Sequence, residues 1–229
     1  MPRKNGKIKV AIIGTGNCAT SLVEGVQYYS EHTNAKTGVM KMDIGGYLAG
    51  DVEFVVGFDI DERKIGLTLG EALRQKPNCS WNIVDTIKCK APVLEAPVID
   101  GYAGLMDNYP EENRFLVSEK LRNSTDMNRV SWTNRLERKW KDKIIKTLKV
   151  HEVEVLINYL PVGSQKTTEF WAEICLETGI SFVNCIPVFI ASDPAWEQRF
   201  IDAGIPLIGD DMRSQFGASI VSQMLQELA

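Results

Sequence analysis

Gly14-Thr15-Gly16-Asn17-Cys18-Ala19 follows directly on a β-branched run, KIKVAII, at residues 7–13. Glycines at this spacing suit a turn that receives the pyrophosphate of a dinucleotide. Gly14 lets the chain leave a strand sharply. Gly16 removes the side chain that would hold phosphates away from the backbone. The third small position, here Ala19, lets the next helix pack against the strand. The N-terminal amides of that helix, and its positive dipole end, would face the phosphates. G-x-G-x-x-A alone is a weak signal. Its context strengthens it, because an amphipathic helix is expected at residues 18–29, with Ala19, Leu22, Val23 and Val26 on one face.

A second requirement of this chemistry is an acid at the end of the next strand, to accept ribose hydroxyls. VEFVVGFD, residues 52–59, ends in Asp59. A carboxylate there would repel a 2′-phosphate, which favours NAD over NADP. The acid stands farther from the turn than the usual separation of about 20 residues. A polar, glycine-rich insertion at residues 30–50 accounts for the excess. A helix cap or turn residue is the plainer alternative for Asp59.

Three more loops follow expected strands, where ligands of such folds sit: YLPVGS at 159–164, the stretch 187–194, and Gly209-Asp210-Asp211. Asp210 and Asp211 together could hold a divalent cation, or one of them could cap the helix expected from Ser214. The cap is the preferred reading for Asp211.

The elements that must position these residues alternate between two periodicities. Strands are expected at 7–13, 52–59, 152–159, 181–186 and 206–208, with one short strand in VLEAPVI. Helices are expected at 18–29, 62–73, 131–149, 164–177, from Asp193-Pro194 onward, and at 214–228, where Phe216, Ile220, Met224 and Leu228 recur every fourth residue. Residues 106–129 read as loop. In the 131–149 helix an apolar stripe of Trp132, Leu136, Trp140, Ile144 and Leu148 opposes Arg135, Arg138, Lys139, Lys143, Lys146 and Lys149. No aromatic platform accompanies these charges, so a solvated face is preferred to a nucleic-acid surface. The alternation of strand and helix implies an α/β fold, a Rossmann-type doubly wound parallel sheet.

Bulk properties narrow the function classes. A net charge of −4 gives no reason to expect nucleic acid or an anionic membrane, and no apolar run is long enough to span a bilayer. Five cysteines, at 18, 79, 89, 175 and 185, are widely spaced and form no C-x-x-C pair. Reduced thiols in a cytoplasmic protein are the simplest expectation, with Cys18 as a small packing residue. His32 and His151 are the only histidines, which disfavours a histidine triad or a multi-histidine metal site.

The blocks AIIGTGNCATSLVEGVQYY, FVVGFDID, VLINYLPVGS, FVNCIPVFIASDPAW and IPLIGDDMRSQFGAS occur in that order. They resemble corresponding blocks of the myo-inositol-1-phosphate synthase (inositol-3-phosphate synthase) family, in its actinobacterial and archaeal branch. The resemblance covers most of residues 7–220, with 75–150 the most divergent. It implies an NAD-binding Rossmann domain over residues 1–229, with insertions at about 30–50 and 75–150. It implies the isomerisation of D-glucose 6-phosphate to 1D-myo-inositol 3-phosphate by internal oxidation, enolisation, aldol cyclisation and reduction. NAD would be regenerated in each turnover, in a homotetramer serving inositol and phospholipid biosynthesis.

Carried over by position, Gly14, Thr15, Gly16, Asn17, Cys18 and Ala19 would hold the pyrophosphate, and Asp59 the adenosine ribose. Tyr159, Leu160 and Pro161 would line the adenine or nicotinamide ribose side, and Ser192 and Asp193 would lie near the nicotinamide end. Asp210 would act beside the nicotinamide in a proton relay, with Ser214 close by.

The sequence departs from the family in two ways. Met212-Arg213 stands where an apolar residue and Lys are usual, and Arg keeps the charge without serving as a proton donor. The family's second, α+β domain, with an N-x-G-G-N segment, a lysine cluster and the tetramer interface, would follow residue 229 and is not in this chain. The expectation is therefore the dinucleotide-binding portion of such an isomerase. A non-catalytic NAD-binding module or a split-enzyme subunit is the alternative, and an ordinary dehydrogenase is disfavoured by the block-by-block match.

Overall fold

Among the described residues, six parallel strands form one sheet in the order β3-β2-β1-β4-β5-β6. The computed structural model describes residues 6–35, 38–39, 41–123 and 134–211. The strands are β1 (Ile8–Ile13), β2 (Val52–Asp59), β3 (Val93–Glu95), β4 (Val155–Asn158), β5 (Ser181–Asn184) and β6 (Leu207–Ile208). Both β2 and β4 flank β1, so strand order reverses there. Chains leaving β1 and β4 at their C-terminal ends diverge to opposite faces and open a crevice, the usual ligand position in doubly wound sheets.

Successive side chains on β1 point to opposite faces, and both faces are buried. Val10 and Ile12 pack with Ala19 and Val23 of α1 (Asn17–Glu31) and with Leu69 and Leu73. Ala11 and Ile13 pack with Val56, Phe58 and two helices on the other side. These are α4 (Asn134–Val150), through Trp140, Ile144 and Leu148, and α5 (Gln165–Thr178), through Trp171, Ile174 and Cys175. Of the expected apolar stripe of α4, Trp140, Ile144 and Leu148 make the core contact, Leu136 is half-buried outside it, and Trp132 lies outside the described residues. Lys143 on the same helix pairs with Glu95 at 2.6 Å.

Helix ends follow from local chemistry. Gly179 terminates α5 in the left-handed region at φ 73°. Asp193 caps α6 (Pro194–Ala203), accepting from the amides of Ala195 and Trp196, with Pro194 at the first helical position.

The expected helix at 62–73 does not form. Residues 62–66 make turns, and only α2 (Leu69–Ala72) is helical. The Asp61 carboxylate accepts from the Arg63 amide at 3.0 Å, an alternative to helical bonding. Gly66 then takes φ +88° and donates its amide to Val93 on β3. Residues 106–129, expected as loop, contain short 3-10 turns and α3 (Glu119–Asn123). The helix expected at 214–228, and Met212-Arg213, lie outside the described residues. Among the described residues no helix is long and apolar enough to cross a membrane.

Candidate dinucleotide-binding site

Gly14 leaves β1 at φ +83° and donates its amide to Phe58 at 2.9 Å. A Cβ there would lie 2.6 Å from the Tyr159 carbonyl oxygen, so the neighbouring β4 strand end requires glycine as much as the backbone angle does. Gly16 differs. It has ordinary backbone angles and is the N-cap of α1, and an added Cβ would meet nothing within 4 Å. Among the described residues, the space beside Gly16 is therefore open.

A cavity of about 130 Å³ lies at this turn, lined by Gly14, Thr15, Gly16 and Asp59 and by Tyr159, Leu160 and Pro161. Phe58, Ile60, Pro97, Phe115 and Trp171 make it mostly apolar. Trp171 is fully buried, and its indole N–H has no partner among the described residues. Seven of the residues expected from sequence thus converge on one cavity. Asn17, in the first turn of α1, accepts from the amides of Cys79 at 2.8 Å and Ser80 at 3.0 Å, which ties the 79–80 loop over the helix start.

Asp59 lines the cavity and is 7% exposed. Its carboxylate accepts from the amides of Thr15 (2.9 Å), Ile60 (2.7 Å) and Asp61 (2.9 Å), and from the Thr15 hydroxyl. Beneath the turn lies Lys64, fully buried, with Nζ 3.8 Å from Asp59 and donating to the Thr15 carbonyl at 2.8 Å. Burial lowers the Lys64 pKa, and the Asp59 and Asp61 charges oppose that shift.

Asp210, Ser192 and Asp193 lie apart from this cavity, beyond β5 and β6. Asp210 accepts from the amides of Ile190 (2.9 Å), Ala191 (3.0 Å) and Ser192 (3.0 Å) and from the Asn184 side chain (2.8 Å). With N–H donors on both oxygens it is not disposed as a cation ligand, and among the described residues no cluster of three His, Cys, Asp or Glu groups could hold a metal ion. Asp193 spends its carboxylate on capping α6. Ser214 lies outside the described residues.

Sequence reasoning missed what joins these regions. Buried Asn184 donates to the Ile186 and Val188 carbonyls as well as to Asp210, and its oxygen accepts from Asn158 at 2.9 Å. Asn158 in turn donates to Thr168 of α5 and accepts from the Leu160 amide. A polar relay thus crosses the C-terminal edge of the sheet from β6 to β4. Its available signal was an asparagine ending each of two apolar strands, VLIN and SFVN. Also missed was Asp100, which accepts from the amides of Lys166 (2.6 Å) and Thr167 (2.9 Å) and so fills the N-terminus of α5. Near the crevice, burial pushes the Cys185 thiol up to about 11 and raises the Tyr159 hydroxyl as well.

No family model matches the chain. It is 40% identical over 223 residues to the inositol-3-phosphate synthase of Corynebacterium glutamicum, covering 96% of this chain and 55% of that protein. It is 38% identical to the inositol-3-phosphate synthase of Mycolicibacterium smegmatis, covering 100% of this chain and 57% of that protein. For the Mycobacterium tuberculosis H37Rv protein of the same name the identity is 35%, over 99% and 56%. The chain spans a little over half the length of these curated relatives.

Among solved structures, Ari2 superimposes with a TM-score of 0.73 at 26% identity, over 97% of this chain and 59% of that one. A myo-inositol-1-phosphate synthase-related protein from Thermotoga maritima gives 0.71 at 21% identity over the same shares, a likeness of fold. The strand order, the glycine turn and the sequence identity along nearly the whole chain agree in likening this chain to a little over half of an inositol-3-phosphate synthase.

Proposed function

We propose that this chain is the dinucleotide-binding part of an inositol-3-phosphate synthase, acting on D-glucose 6-phosphate with NAD and yielding 1D-myo-inositol 3-phosphate. The observation that carries this reading is the start of α1. Asp100 fills the N-terminus of α5 and Asp193 that of α6. The first turn of α1 has neither an acidic residue nor a side-chain cap, and Gly16 leaves the space beside it open. Unspent amides at a helix N-terminus favour an anion, and a pyrophosphate supplies one.

In this reading the backbone of Gly14 to Ala19 holds the pyrophosphate. The slot of Phe58, Ile60, Pro97, Phe115 and Leu160 takes the flat, weakly polar base, with the unpartnered Trp171 N–H at its wall. Bound NAD would supply reversible hydride transfer, returned to the same substrate within one turnover. Asp210 fastens residues 190–192, and with them Ser192, at the other end of the crevice. A proton relay through Asp210 requires one of its four donors to move away. Tetrameric assembly and a cytoplasmic place in inositol biosynthesis belong to the same proposal.

A second reading rests on the cavity lining, which among the described residues contains no lysine to steady an enolate or a sugar phosphate. On that reading the chain binds NAD without turning over glucose 6-phosphate alone, as a module or one part of a split enzyme. Incubation with glucose 6-phosphate and NAD decides between them. Periodate-labile inositol phosphate without net NADH accumulation supports the isomerase. NAD binding without product, and product on adding a separately expressed downstream domain, supports the split enzyme. Net NADH accumulation would indicate a dehydrogenase and defeat both.

A further inference from the structure

Helix α5 has a serine at its N-cap that does not cap it. Ser164 is buried, and its side chain accepts no bond from the helix amides. Asp100 takes that part from 66 positions away, accepting from the Lys166 amide at Oδ2 and from the Thr167 amide at Oδ1. The Thr167 hydroxyl also donates to Oδ1 at 2.7 Å and accepts from the Asp100 amide at 3.2 Å. The helix dipole favours a carboxylate in this position, and bonds to a charged acceptor are the stronger kind. Gly101 seats beside Asp100 at φ +82°, where a Cβ would lie 2.0 Å from Ser164 Oγ. Two successive residues thus dock on the start of α5.

This docking joins two loops that both line the cavity. Ala96 and Pro97 precede Asp100 in the loop that leaves β3, and Leu160 and Pro161 precede Ser164 in the loop that leaves β4. In the sheet β2 and β1 stand between those strands, a separation of about 14 Å at three strand spacings. The two loops therefore come together from either side of β1 and β2, at whose ends the glycine turn and Asp59 lie. The chain from Pro97 to Asp100, like that from Pro161 to Ser164, reaches roughly 10 Å at most. A proline in each fixes one backbone angle. Little slack separates the clasp from the residues that line the slot. A cap supplied by Ser164 itself would satisfy the amides of α5 equally well and tie nothing to β3.

We infer that Asp100 is a positioning residue that sets how wide the base slot stands, with Thr167 and Gly101 as its seat. This rests on the proposal that a dinucleotide binds at the glycine turn. It adds which contact decides how large a base the slot admits. The clasp is made by the chain alone, so the slot is set before a nucleotide arrives, and its ordering cost falls on folding rather than on binding.

The test titrates the full chain, Asp100→Ala, Asp100→Asn, Thr167→Val and Ile144→Val by calorimetry. The ligands are NAD and an etheno analogue of NAD whose adenine carries a third fused ring. Ile144 is a core residue that does not line the cavity, so Ile144→Val controls for general loosening. The clasp predicts that Asp100→Ala weakens NAD by about tenfold, as loss of a charge-assisted bond implies. The same variant weakens the broader analogue by no more than about twofold, so the ratio of affinities moves about fivefold toward it. Thr167→Val moves the ratio the same way by about threefold. Asp100→Asn, which keeps one acceptor oxygen, falls between wild type and Asp100→Ala, and Ile144→Val leaves both affinities within about twofold. The inference is overturned if Asp100→Ala binds NAD within about twofold of wild type, or loses both nucleotides by a common factor, as a merely structural cap would. Should Asp100→Ala fail to fold, Thr167→Val decides: a shifted ratio upholds the clasp, and a wild-type ratio refutes it. If wild type binds NAD and the ratio does not move, the clasp alone fails. If wild type binds neither nucleotide, the dinucleotide reading fails and the clasp with it.

Discussion

Gly14 sits so close to Tyr159 that an added Cβ would lie 2.6 Å from the Tyr159 carbonyl oxygen, whereas one on Gly16 would meet nothing within 4 Å. Two glycines of one motif therefore do different work. Gly14→Ala adds a backbone clash to an unfavourable φ of +83° and should cost roughly 2 kcal/mol or more. Gly16→Ala should change stability by no more than about 0.5 kcal/mol. Urea denaturation of both variants checks this, and equal losses would contradict it.

Asn184 gives the relay at the sheet edge a stability consequence. Asn184→Leu strands the Val188 carbonyl, while the Ile186 carbonyl keeps the amides of Val188 and Asp211, and leaves Asp210 one donor short. The expected loss is about 2–3 kcal/mol by denaturation. A loss below about 0.5 kcal/mol would mean that the amide is dispensable.

Alkaline pH should destabilise the fold. Burial pushes the Cys185 thiol up to about 11 and also raises the Cys175 thiol and the Tyr159 hydroxyl. The folded state holds these protons more tightly than the unfolded chain. The corresponding stability is fully present below the ordinary thiol value of 9.0 and is lost as pH rises through about 11. The thermal midpoint should be flat from neutral pH to about 9 and then fall, and Cys185→Ala should fall less steeply. A midpoint that rises over this range contradicts the assignment.

The two faces of α4 should respond differently. Ile144 is 1% exposed, and Ile144→Ala should cost about 2–5 kcal/mol. Lys146→Ala and Lys149→Ala should each stay within about 0.5 kcal/mol. Thermal denaturation separates the cases, and a large loss at Lys146 would show that this face is packed.

Much of this was legible because it is local. Val52–Asp59 is a short, mostly apolar run that ends in an acid, so β2 is readable to the residue. The glycine turn carries its own spacing, and Asp193-Pro194 its own cap. The failures are non-local or competitive. Residues 62–73 have helical periodicity, yet the Asp61 side chain captures the Arg63 amide and Gly66 turns the chain onto β3. Lys64 reads as a surface charge, and only folding sets it beneath Thr15. Asp100 caps a helix 66 positions away, and no short-range pattern announces that contact. Asp59 was legible as a site residue, but two of the four donors that occupy it come from a turn 44 positions earlier.

The central claim is that the open start of α1 at Gly16 receives the pyrophosphate of NAD. Calorimetric titration of the chain and of Gly16→Val with NAD tests it most directly, with circular dichroism to confirm that the variant keeps its fold. The account predicts saturable one-to-one binding by the wild type and at least about a hundredfold loss in Gly16→Val, because the new side chain fills the phosphate position. Equal affinities, or no binding by the wild type, would contradict it.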